Sequence, residues 1–152
     1  AIDEARPGPG ALTVPVPSLV PGGAITTALG PGCGSPAPAL AANGAPTLPN
    51  PAFALDLTAA PSASLLLFVA PTGASVALAP GCLQHVANQG LVTLGFLVAD
   101  GSGTATTPFP LPANLALEGL TLHWQGAEFV TGGPVFANFA LTNGIATRLA
   151  CR

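Results

Sequence analysis

Hydrophobic and polar positions alternate with a period of two along much of this chain. In 51–59 Phe53, Leu55 and Leu57 alternate with Ala54 and Asp56, the pattern of a strand with one buried face. Residues 64–69, SLLLFV, are continuously apolar and predict a central strand. Comparable short runs predict strands at 24–29, 38–43, 51–59, 64–70, 74–79, 82–86, 91–99, 103–110, 119–125, 127–131, 134–142 and 144–150. Residues 113–118, ANLALE, leave room for one helical turn. Asp100-Gly101-Ser102-Gly103 and Asn143-Gly144 each stand between two such runs and predict β-hairpins. Short strands with turn signals every ~8–12 residues predict an all-β fold, an antiparallel β-sandwich of jelly-roll type.

The beginning of the chain reads differently. In 11–17, ALTVPVP, Leu12, Val14 and Val16 face one way and Thr13, Pro15 and Pro17 the other. Proline has no N–H to give to a ladder, so this segment is an edge strand or an extended arm. Pro21-Gly22-Gly23 follows as a flexible joint. The expected organisation is an N-terminal arm over 1–23 and a sandwich domain over 24–152. Such an arm can fold back on its own domain or add as a strand to a neighbouring subunit. Head-to-tail addition does not close on itself, so it makes filaments. Leu12, Val14, Val16, Leu19 and Val20 are the side chains expected to enter a groove in the neighbour.

Composition narrows the function. Only 6% of the 152 residues are charged, and the net charge is −3. Arg6, Arg148 and Arg152 are the three basic residues, too few to neutralise a run of phosphates, so nucleic acid is excluded as a partner. The 19 glycines and 18 prolines interrupt every apolar run well short of the ~18 residues of a membrane span, so no membrane insertion is expected. With 49% hydrophobic residues and a mean hydropathy of +0.62, the chain is the opposite of a disordered one. Soluble sandwiches commonly blunt their sheet edges with charge, above all Lys, and this chain has no Lys. Its surface is built to tolerate close neighbours.

The chain opens on Ala1, as removal of either a secretory signal or an initiator Met would leave it. The charge-poor composition favours export, to the extracellular space or the cell surface. Cys33, Cys82 and Cys151 contain no CxxC pair, so a zinc site is not expected. Cys33 and Cys82 both follow Gly in turn-like settings, GPGCG and APGCL, and are the favoured disulfide. The competing pairing joins one of them to Cys151.

One resemblance emerges from the ordered set GPGCGSPAPALAANGAPTLPNPAFALDL, SLLLFVA, APGCL, ADGSGTATTPFPLPANLALEGLTLHWQ and FANFALTNGIATRLA. Over about residues 24–150 the chain resembles an uncharacterised β-sandwich module of exported proteins from planctomycetes and similar bacteria. The resemblance implies an exported β fold and carries no known activity. Residues 1–23 and Cys151 lie outside its pattern.

Candidate chemistry is sparse. His85 and His123 are the only histidines and are expected to point at water. A Ser-His-Asp arrangement would need one of them beside Asp56 or Asp100, and no GxSxG elbow is present. Glu118 and Glu128 flank the 119–125 run and read as solvated turn carboxylates rather than a glycosidase pair. Asp100 with Gly101 and Ser102 is too thin for calcium and reads as a turn whose carboxylate caps amides. No catalytic residue, metal or cofactor is expected. His123, Trp124 and Gln125 form the one local cluster suited to a sugar ring. By alternation Trp124 shares a face with Leu120 and Leu122, which favours burial and leaves Thr121, His123 and Gln125 outward. The first expectation is therefore a non-enzymatic extracellular structural protein whose partner is itself, a homopolymer built through the arm. The second is a carbohydrate-binding or adhesive module of a secreted protein, with polysaccharide as its partner.

Overall fold

The computed structural model describes residues 23–151. The arm residues Leu12, Val14, Val16, Leu19 and Val20 lie outside them. The described chain is all-β, with eleven strands in antiparallel sheets and a single 3₁₀ turn at Leu115–Leu117. In chain order the strands are β1 Ile25–Gly30, β2 Ala39–Asn43, β3 Ala54–Thr58, β4 Ser64–Ala70, β5 Gly73–Ala79, β6 Cys82–Val86, β7 Val92–Val98, β8 Thr104–Pro108, β9 Thr121–Gly133, β10 Ala137–Leu141 and β11 Gly144–Arg148. A six-stranded sheet runs β1-β11-β9-β4-β7, with β10 also on β9; a three-stranded sheet runs β2-β3-β8; β5 and β6 form a two-stranded ribbon.

Alternation explains the layers. On β4, Leu65, Leu67 and Val69 are buried on one face and join Leu40, Phe53, Leu55 and Leu57 of the three-stranded side in one core. Trp124 of β9 is fully buried there, its ring edge-on to Phe109 at 5.0 Å between centroids. Leu66 and Phe68 point to the opposite face of the same sheet, which the β5–β6 ribbon partly covers. A second cluster forms under the ribbon from Cys82, Ala127, Val135 and Leu141. The hydrophobic effect therefore acts on both faces of the large sheet, but the described residues cover only one of them from end to end.

Three expectations need correction. The runs 119–125 and 127–131 are one strand, β9, thirteen residues long. Gly126 does not break it, because its missing Cβ is what lets Leu57 and Thr142 close over the backbone: a Cβ there would sit 2.5 Å from Leu57 Cδ2. Asp100–Gly103 is not a hairpin. β7 pairs with β4 and β8 with β3, so the turn carries the chain from one sheet to the other. Nor is Asn143-Gly144 a hairpin. β10 and β11 lie end to end along the same edge of β9, antiparallel to it, from Ala137↔Gly133 to Arg148↔Thr121.

The side chain of Asn143 explains the last case. Its Oδ1 accepts from the Leu40 amide at 2.8 Å and its Nδ2 donates to the Leu40 carbonyl at 2.9 Å. It pairs with β2 as another strand would, and so ties the two sheets together. Gly144 must be glycine for a separate reason: a Cβ would lie 2.4 Å from the His85 Cβ.

Candidate functional site

Cys33 and Cys82 form a disulfide, and it anchors the start of β6 beside β10. The competing pairing with Cys151 is not formed. Cys33 also exchanges backbone hydrogen bonds with Leu141, 2.8 and 3.1 Å long.

The proposed sugar-contact trio does not form a platform. Trp124 has no exposed surface, and its indole Nε1 donates to Thr147 Oγ1 at 2.8 Å inside the core. Gln125, expected outward, is also buried. Its Oε1 accepts from the His85 amide at 2.7 Å, and its Nε2 donates to the carbonyls of Leu83 and Thr142, both at 3.0 Å. The ribbon has covered the face that alternation marked as polar, and Gln125 is the bolt that holds it there. A buried amide with both donors and its acceptor oxygen engaged fastens structure and has no free donor for a ligand. His123 alone of the three keeps some exposure, beside Gly73.

Two other expectations of solvated side chains fail, His85 because the ribbon packs onto the sheet and Glu128 because the chain after β3 closes over the opposite face. His85 is buried in β6 with Nε2 3.0 Å from the Pro31 carbonyl, which can only accept, so Nε2 carries the proton. Glu128 is a buried β9 residue rather than a turn carboxylate, and its Oε2 accepts from the Ala60 amide at 3.2 Å. Among the described residues neither histidine is hydrogen-bonded to a carboxylate. Asp56 holds Asn43 Nδ2 and Thr106 Oγ1 on the three-stranded sheet. Asp100 holds the turn, as the sequence implied: Oδ1 accepts from the Ser102 hydroxyl at 2.7 Å and the Ser102 and Thr104 amides at 2.9 and 3.0 Å. The Ser102 hydroxyl, then the Thr104 and Ser102 amides, hold its carboxyl below the usual carboxylate range. Among the described residues no three His, Cys, Asp or Glu side chains come together as metal ligands.

What the geometry does offer is an apolar strip on the uncovered part of the large sheet. Phe96 of β7 meets Phe129 of β9 at 6.1 Å between centroids, and Phe129 meets Phe139 of β10 at 4.8 Å. Phe96 is 60% exposed, Val98 59% and Phe136 71%. Beside this strip, under the rim of the ribbon, is a hollow of about 200 Å³ walled by Leu66, Phe68, Leu78, Val86 and Phe136. A wider cleft of about 960 Å³ opens at the disulfide end, between Pro36–Ala39 and Val130–Pro134, with Glu128 the one charged residue among the described residues that wall it. Exposed contiguous apolar surface is a common feature of contact sites for other macromolecules.

The strip ends at β7, an outer strand of the six-stranded sheet whose sequence, VTLGFLV, contains no charge and no proline. The run 91–99 was legible as a strand. That it would be an outer strand, and that Phe96 would line up with Phe129, depends on pairing through β4, which spacing along the chain does not reveal.

No protein-family model, no curated protein and no solved structure matches the chain.

Proposed function

We propose that this is an extracellular structural protein that self-assembles into a filament or surface layer, each subunit donating its N-terminal arm as a strand to a neighbour. In this reading the described strands are a jelly-roll-like β-sandwich and residues 1–23 are its detachable arm. One observation carries it: a sheet edge at β7 without charge or proline, flanked by the exposed Phe96 and Val98. Folded proteins that stay single protect such edges, because unpaired N–H and C=O groups beside apolar side chains recruit another strand. The Cys33–Cys82 disulfide supports an oxidising location. The resemblance to exported modules supports the same location, and among the described residues no helix is long and apolar enough to cross a membrane.

Electron microscopy and sedimentation velocity of the full chain test this reading. Regular polymers that grow with concentration are expected. A single species of 14.7 kDa at high concentration would overturn it. Carbohydrate binding has less support, because Trp124 and Gln125 are sealed inside the fold.

A further inference from the structure

Resting on that assembly reading, we infer that the acceptor for the arm is the outer edge of β7 in a second copy of the chain, with Leu12, Val14 and Val16 supplying the backbone pairing beside Phe96 and Val98.

The other edges are poorer acceptors. β2 is already paired by the Asn143 side chain. β8 is five residues long and ends in Pro108, which cannot donate. β5 breaks register with β6 in two places and exposes one large apolar side chain, Val76. β7 has one irregularity and exposes three, Val92, Phe96 and Val98. Of the remaining edges, β1 is the direct continuation of the arm, β6 is bonded by Gln125, and β10 is five residues long and breaks register with β9.

The arm's own chemistry suits a single-sided partner. In a strand, the N–H and C=O of alternate residues point to opposite edges. Pro15 and Pro17 spoil one edge of 11–17, whereas Leu12, Val14 and Val16 present complete amides on the other. The side chains of these three also share one face. A strand of this kind pairs once and then terminates the sheet, so it covers β7 without leaving a new sticky edge.

Reach decides between a subunit's own β7 and a neighbour's. The described chain begins at Gly23, whose carbonyl accepts from Arg148 Nη2 at the start of β1. Residues 18–23 span at most about 22 Å when fully extended. β1 and β7 are the two outer strands of the sheet order, so a strand added beyond β7 lies five strand spacings from β1. At ~4.8 Å each that is about 24 Å straight through the sheet. The real path must also go round a packed layer about 10 Å thick. The joint is too short for that, and a second copy has no such constraint. Donor and acceptor then sit on opposite sides of each subunit, and a chain of copies follows without closure.

A complementation experiment with full-length chains tests the assignment. Phe96→Lys/Val98→Lys removes the acceptor and keeps the arm; Val14→Asp/Val16→Asp removes the arm and keeps the acceptor. Each alone is expected to sediment as a 14.7 kDa species, and a 1:1 mixture to give a dimer of twice that mass. Fluorescence of the buried Trp124 checks that each variant is folded. Should the double lysine variant misfold, Thr93→Lys on the same strand, at an exposed position, takes its place. If the β7 variant polymerises like the parent while the arm variant does not, the acceptor lies elsewhere and the β7 assignment is overturned, with assembly through the arm intact. If the arm variant polymerises as well, the arm is not the connector and both readings fall.

Discussion

The two faces of the six-stranded sheet differ in how they are sealed. One is closed by the three-stranded sheet through Leu55, Leu57, Leu65, Leu67 and Trp124, each without exposed surface. Among the described residues the other is closed only where the β5–β6 ribbon lies across it, and the ribbon is held by one disulfide, the hydrogen bonds of Gln125 and His85 and the small cluster of Cys82, Ala127, Val135 and Leu141. Beyond the ribbon no described residue covers the second face, and Phe96 and Phe129 are exposed there. The first face supplies stability by area, the second by a few fasteners. A region held by fasteners can stop abruptly, and that leaves apolar surface exposed.

Mutations that separate area from fasteners break this comparison in order of size. Trp124→Ala empties the sealed face and leaves Thr147 Oγ1 without its donor; a loss of about 3–5 kcal/mol is expected in urea unfolding. A loss under ~1 kcal/mol would mean that the sealed face is not the main source of stability. Cys33→Ser/Cys82→Ser opens a loop of sequence separation 49 and should cost about 2–4 kcal/mol in the same assay. Gln125→Ala strands the His85 amide and the carbonyls of Leu83 and Thr142, for about 1–3 kcal/mol. Its particular signature is faster amide exchange over Cys82–Val86, with the β3 and β4 amides unchanged; uniform acceleration would show that ribbon and sheet unfold as one.

The smallest effect concerns the turn that carries the chain between the sheets. The carboxyl of Asp100 is held below its ordinary range, so it stabilises the fold above the unfolded-state pKa. That contribution fades as the pH falls through the lowered folded-state value. Asp100→Asn should therefore destabilise at neutral pH, with the gap to the parent closing in acid. A gap that is constant with pH would show that the amide caps the turn as well as the carboxylate does.

Much of the strand pattern was legible, because period-two alternation is a local property. The run 64–70 is β4 to the residue, and 82–86 is β6. The two supposed hairpins were misread because Asp-Gly and Asn-Gly signals report a local bend and say nothing of which strands pair afterwards. Asn143 shows the reason well: its amide bonds to Leu40, 103 residues away in sequence. The site was less legible. Alternation placed Gln125 and His123 on a polar outer face, and nothing near them in sequence announces that β6 will cover it. His85 reads as solvated for the same reason, and Glu128 because nothing near it in sequence announces that Ala60, 68 residues away, will close over it. The aromatic strip escaped notice because Phe96, Phe129 and Phe139 are adjacent only across strands.

By itself, the amino-acid order determined that the chain is β, that helices have no room, that charge is scarce, and that Cys33 and Cys82 suit one another. These follow from local sterics, from side-chain period and from composition. Only the tertiary structure decided which polar residues are interior fasteners and which strand stands unguarded at the rim. Burial and edge position belong to pairings between segments distant in sequence, and no short window of residues contains both partners.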